Sequence, residues 1–287
     1  MDEKRKAKVL RVAVTEWAKW VKNPRMLLLI LFYIVTKSIV IEPLLSKSAR
    51  MGGKMNMLEP MVAVGNSWIT VMLLPAVFLI IISDFPVIED NTMLYVSRVG
   101  RRKWFFGQVF FAFCAVLTYL LTFFLIMFIS GIRQFGFSME WSTVTKTYLS
   151  RFPEASSSFA YRLLPSNLYN QMSLKSTFLL TFFLLFMYLF TLTMILLFFT
   201  AAGIRGGGIP SAYLVVFLGV ATHYMPGKIG WAMPFNHSIV WTHYEEIVRK
   251  PKVPISTSAI YFALISLILI IAGAVLVRKM DFSRRPN

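Results

Sequence analysis

Cysteine is nearly absent: Cys114 is the single one in 287 residues, and it lies inside an apolar run. A disulfide framework and a thiolate metal centre are therefore both excluded. Carboxylates are scarce as well, 13 Asp and Glu against 30 Lys and Arg, which leaves few hard oxygen ligands for a transported sodium or calcium ion. No GxxxxGK[ST] loop is present to cradle phosphates. The glycine cluster "GIRGGGIP" at 203–210 lacks the lysine and the strand-loop-helix setting, and reads as a tight cytosolic turn. A zinc helix needs two histidines one turn apart with a glutamate between them, whereas His237 and His243 are six apart in "HSIVWTHYEEIVRK". A membrane glutamate protease fares no better there, because Arg249 follows Glu246 by three rather than four.

What is abundant is apolar surface. Hydrophobic residues make up 57% of the chain and mean hydropathy is +0.65, above the roughly 45–50% apolar usage of soluble domains. The formal charge of +17 could suit nucleic acid, but the basic residues sit between long apolar runs and not on one solvated face. That placement fits anionic lipid headgroups, so membrane lipids are expected partners and nucleic acid is not.

A helix rising about 1.5 Å per residue needs about 20 apolar residues to cross the bilayer core. Six segments qualify: 26–46, 62–83, 104–130, 176–202, 209–226 and 258–277, the fifth short and bounded by prolines. The expected fold class is an all-α polytopic membrane protein with six transmembrane helices in one domain, 1–287. Basic density is higher on the side holding 1–25, 84–103 and both termini, which the positive-inside rule makes cytosolic. The segments 131–175 and 227–257 then lie outside. The N-terminus has no apolar stretch ending in a small-residue cleavage site and is expected to be retained.

Before the first span, Val9, Ala13, Trp17 and Trp20 recur at helical spacing, with Lys19 and Lys22 among the polar positions. This predicts an amphipathic helix over 1–25 lying in the interface, Trp17 and Trp20 at headgroup depth, Lys19 and Lys22 facing anionic lipid. "NPR" at 23–25 then turns the chain into the bilayer. Polar residues inside spans face a cavity or a partner, and on that ground Asn66, Trp68, Thr70, Ser211 and Thr222 are expected to line a translocation path.

The stretch "VIEDNTMLYVSRVGRRKWFFGQV" (87–109) is polar between two apolar runs. Asp90 or Asn91 can cap a short helix through Thr92–Arg98, Arg98 suits its C-terminal end, and Gly100 can stop it. By itself the segment reads equally as a protein-docking element or as a basic loop that sets topology. Its Glu89, "NT" at 91–92, "SRVGRRK" at 97–103 and "GQ" at 107–108 resemble the coupling-helix region of type-2 ATP-binding-cassette exporter permeases. Asn91 stands where the family has Gly, no proline occurs, and Gln108 replaces its Lys. The resemblance extends over most of the chain, through "WVKNPR", six spans and "VRKMDF", and likens 227–257 to the family's outer re-entrant hairpin.

That resemblance implies a permease subunit of a cell membrane exporter, bacterial in type, that is not itself an enzyme. It implies ATP and magnesium on separate ABC ATPase subunits, docked at Glu89, Asp90, Asn91, Thr92, Tyr95, Arg98, Arg101 and Arg102, and a second copy or a related permease alongside. No cofactor or metal is expected in this chain. Phe and Met richness suits amphipathic or hydrophobic cargo, peptides first. The alternatives are a membrane hydrolase using the His and Glu of 237–246, or an immunity or scaffold protein without transport.

Overall fold

The computed structural model describes residues 2–88, 92–204, 206–223, 225, 228–245 and 251–280. Among them every regular element is helical. Four helical stretches are long and apolar enough to span a membrane: Pro24–Met51, Arg101–Gly131, Leu174–Ala201 and Ile255–Leu276; the bent pair Leu58–Asn66 and Trp68–Ile81 makes a fifth if counted as one. The chain is thus an all-α protein with four to five candidate spans, plus a shorter apolar helix at Gly208–His223.

Helix α1 (Asp2–Val21) packs along the start of α7 (Arg101–Gly131). Val12 and Ala13 are buried there. The approach is close because position 107 is glycine: an added Cβ would fall 2.6 Å from the Val12 Cβ. On the other side of α1, Leu10, Val14 and Val21 are exposed, an apolar stripe that suits acyl chains. The turn after α1 is held by Asn23, whose Oδ1 accepts from the Arg25 amide at 2.9 Å, and by Pro24 at the first helical position. The Arg25 guanidinium then reaches Ser83 Oγ at 2.7 Å and the Asp84 carboxylate.

The first span is a composite of a 3-10 turn (Pro24–Leu27), α2 (Leu28–Thr36), a π-helical turn (Lys37–Ile41) and α3 (Glu42–Met51), ended by left-handed Gly52. Leu29, Phe32, Val40 and Leu44 form its buried stripe, while Leu27, Ile30, Leu31 and Ile34 are exposed. Within it α2 is apolar on every side, and its uncovered side suits lipid.

The expected second span, 62–83, is not one rod. It consists of α4 (Leu58–Asn66) and α5 (Trp68–Ile81), bent by 83°. Ser67 at the bend is extended (φ −89°, ψ 128°). The trio Gly65-Asn66-Ser67 explains the break: Gly65 lets α4 touch the helix Leu174–Ala201, where an added Cβ would lie 2.1 Å from Thr181 Cγ2, and Asn66 bonds sideways.

After α6 (Thr92–Val99), Gly100 (φ 95°) redirects the chain into α7, as expected for a glycine stop. The segment after α7 carries α8 (Thr143–Arg151), α9 (Phe159–Arg162) and α10 (Ser166–Tyr169). Helix α11 (Leu174–Ala201) is the hub, packing on α4, α7, α12 (Gly208–His223) and α14 (Ile255–Leu276), with short α13 (Pro234–Ser238) against it. Its buried Thr191 and Thr193 return their hydroxyls to Met187 and Leu189 carbonyls, so that polar side chains cost little at that depth. Thr191 also meets Ser266 Oγ of α14 at 2.9 Å. The far side of α14 exposes Ile260, Leu264, Leu267 and Ile271.

Candidate functional site

At the end of the bundle where α1 meets the start of α7, α6 is anchored by buried Thr92 and Val96 and presents Met93, Leu94, Ser97 and Arg98 to its surroundings. Tyr95 is half-buried and lies within the electrostatic reach of Glu16 and Arg11 of α1. Lys8 Nζ donates to the Arg98 carbonyl at 3.3 Å, and the Arg101 guanidinium donates to the Arg278 carbonyl. Arg102 is exposed. The expected docking residues Glu89, Asp90 and Asn91 lie outside the described residues. The tryptophans assigned to the interface turn inward: Trp20 is buried and its indole N–H donates to the Ile81 carbonyl at 3.3 Å, and Trp17 donates to Thr118 Oγ1 at 2.9 Å. Lys19 and Lys22 are exposed. Gln108, one residue past Gly107, is fully buried, and both its amide atoms lack a partner among the described residues.

At the opposite end, the break in the second span opens a cavity of about 330 Å³. Asn66 organises it. Its Nδ2 donates to Val62 O and Thr181 Oγ1, and its Oδ1 accepts from the Val240 amide at 2.9 Å and the Trp241 amide at 3.3 Å. The Trp241 indole N–H closes the contact on the Asn66 carbonyl at 2.8 Å. One asparagine therefore fastens the segment at Val240 and Trp241 to the bend. Trp68 lines the cavity beside it, with Phe159, Tyr161, Arg162 and His223. Thr70 is buried under the bend and donates to Ser67 O at 3.0 Å. Thr222 bonds back to Leu218 O within α12. Ser211 stands at the opposite end of α12, about 16 Å below Thr222 at 1.5 Å per residue. Of the five expected path residues the structure brings Asn66 and Trp68 together at one cavity and leaves Ser211 far from it.

The two histidines too far apart for a zinc helix do meet, through a residue the sequence pattern did not single out. Ser258, in the first turn of α14, lies 2.6 Å from His237 Nδ1 and 3.4 Å from His243 Nε2. His237 Nε2 faces the Trp231 carbonyl at 2.8 Å and His243 Nδ1 the Val253 carbonyl at 2.9 Å. A carbonyl can only accept, so those nitrogens carry the hydrogens. The Ser258 hydroxyl then donates its one hydrogen to His237 Nδ1, and the more distant His243 Nε2 is left as an acceptor beside it. Burial pushes His237 down to about 4, opposed by the Trp231 hydrogen bond and assisted by His243; burial lowers His243 too. Ser258 is wholly buried, and the described residues hold no metal-binding cluster of three His, Cys, Asp or Glu. Glu246, Arg249 and Lys250 lie outside the described residues.

These shifts carry a sign. A folded-state imidazole near 4 against about 6.5 unfolded means that the unfolded chain binds the proton more readily between those values. Stability of the 228–245 segment falls as pH drops from about 6.5 towards 4, by up to about 3 kcal/mol. After division by the intrinsic exchange rate at each pH, the protection of that segment is expected to fall between pH 7.5 and 5 in the native chain and to change little in His237→Gln. An equal fall in both would remove His237 from the account.

No protein-family model, curated protein or solved structure matches this chain.

Proposed function

We propose that the chain is the membrane subunit of an ATP-driven exporter, working beside a second copy or a related permease and powered by separate ABC ATPase subunits that bind ATP and magnesium. On this reading the bent pair and Gly208–His223 complete six spans, 227–257 is an outer re-entrant segment, and both termini face the cytosol of a bacterial cell. The observation that carries it is the design of α6: a short helix held from behind by Thr92 and Val96, with apolar Met93 and Leu94 and cationic Arg98 left uncovered. A loop that merely sets topology has no use for an exposed Met-Leu pair, whereas a protein partner covers one. The buried, unpartnered amide of Gln108 supports a moving part, because a second arrangement of α7 would supply hydrogen bonds that this one withholds. The break at Ser67 gives the cargo a non-helical opening walled by protein. The cargo is an amphipathic or hydrophobic molecule, peptides first.

The test is copurification from native membranes in mild detergent with mass spectrometry. Wild type is expected to bring an ABC ATPase, and Arg98→Glu and the double variant Met93→Asp/Leu94→Asp to recover about tenfold less, the loss of roughly 1.4 kcal/mol of docking energy. Absence of an ATPase in several detergents, or equal recovery with all variants, would remove the exporter reading.

A further inference from the structure

The cavity at the bend is built for more than passage. Its aromatic walls include Trp68, Trp241, Phe159 and Tyr161, and no carboxylate lines it among the described residues. Arg162 brings a guanidinium that makes no ion pair with any described residue. Ser67 also lines it; this side chain is only 4% exposed, and its hydroxyl has no partner among the described residues. Ser67 is the N-cap position of the 14-residue α5, yet it makes no side-chain cap. That hydroxyl opens into the cavity, at the positive end of a helix and beside a cation without a counter-charge among the described residues. Indole faces could also receive a cationic ligand, but the Arg162 guanidinium and the absence of any acid among the described lining residues argue against one.

We propose that this cavity binds an anionic amphiphile: a carboxylate or phosphate held between Ser67 and Arg162, with its apolar body against Trp68 and Trp241. A volume of about 330 Å³ suits the head and first carbons of such a molecule, at the lower end of ordinary ligand sites. Aromatic walls give the body affinity without directional demands, and the guanidinium, the hydroxyl and the helix end select the head. Neutral and cationic amphiphiles of the same length are discriminated against because they leave Arg162 and Ser67 unsatisfied. The inference concerns binding by the chain itself and does not require an ATPase, so its failure and that of the exporter reading are separate results.

The experiment uses the full chain in phosphatidylcholine nanodiscs, photolabelled with a diazirine-bearing dodecanoate and with the matched alcohol and trimethylammonium probes, the labelled peptides being mapped by mass spectrometry. The carboxylate is expected to label peptides containing Trp68, Phe159 or Trp241 about tenfold more than either analogue, and Arg162→Gln to abolish that preference. Arg162 is exposed, so this variant leaves the fold intact, and Ser67→Ala supplies a second, smaller loss. Competition by phosphatidylglycerol added to the disc identifies a lipid headgroup as the natural source; competition only by single-chain anions identifies a free amphiphile. Equal labelling by all three heads, or a carboxylate preference unchanged in Arg162→Gln, overturns the proposal.

Discussion

Glu59→Ala should unfasten the layer formed by 136–151 while leaving the long apolar helices in place. Glu59 is wholly buried, and its carboxylate accepts from the Ser142 amide at 2.6 Å, the Ser142 hydroxyl at 3.0 Å and the Asn56 amide at 3.2 Å. Asn56 in turn donates from Nδ2 to the carbonyls of Ser138 and Glu140. One carboxylate thus joins the loop before α4 to the start of α8, across 83 residues of sequence. Lys47 of α3 is also buried, sits over the rings of Tyr148 and Tyr161 at 5.3 and 5.7 Å, and feels the Glu59 charge. Removing the carboxylate strands two amides, a hydroxyl and a buried lysine at once, a loss of about 3–5 kcal/mol for the layer. Hydrogen exchange over 136–151 should rise steeply, exchange in α11 and α14 should not, and Glu59→Gln should fall between. A thermal midpoint within about 1 °C of wild type in Glu59→Ala would show that the layer is held by something else.

Gly107→Val should separate α1 from α7. The added Cβ would sit 2.6 Å from the Cβ and Cγ1 of Val12 and 3.2 Å from the Val9 carbonyl oxygen. Val12 is β-branched and has no free rotation with which to yield, so the helix itself must lift. With it go the indole hydrogen bonds of Trp20 to Ile81 and Trp17 to Thr118. The overpacking costs about 1–3 kcal/mol, enough to expose α1 a substantial part of the time. Trypsin should then cut at Lys19, Lys22 and Arg25, and the tryptophan emission should shift to the red, with Gly107→Ala showing a weaker form of both. Unchanged trypsin resistance in the valine variant would mean that α1 is held independently of α7.

The spans were legible because lipid imposes a simple demand. The run 104–130 became α7 at Arg101–Gly131, and 176–202 became α11 at Leu174–Ala201, since twenty apolar residues in a row leave few alternatives to a helix. The short helix after Asn91 and its stop at Gly100 were legible from capping chemistry. The break at Ser67 was not. Gly65-Asn66-Ser67 is a turn-forming trio, but apolar neighbours on both sides outweigh it in any window of span length. Glu59 lay just outside the expected span, and its partners Ser142 and Asn56 are joined to it only by the fold. Ser258 was equally hidden, since nothing in the start of an apolar run marks one serine as the partner of histidines 15 and 21 residues away. Trp17 and Trp20 had the right periodicity for a lipid-facing stripe, yet a neighbouring helix took that side and left Leu10 and Val14 to the surroundings. Amphipathic pattern identifies a face to be covered without saying what covers it.

The π-helical turn at Lys37–Ile41 has a geometric consequence for everything beyond it. An α-helix advances by 100° per residue, so one residue accommodated in a wider turn rotates the following half by about that angle relative to the half before. Leu29 and Phe32 below it and Leu44 and Lys47 above it are all buried, so each half keeps its own protein-facing side. On the upper half that side carries Lys47 to Tyr148, Tyr161 and the Glu59 charge. The first span therefore works as two cylinders keyed at different angles on one shaft, and the wide turn is the key.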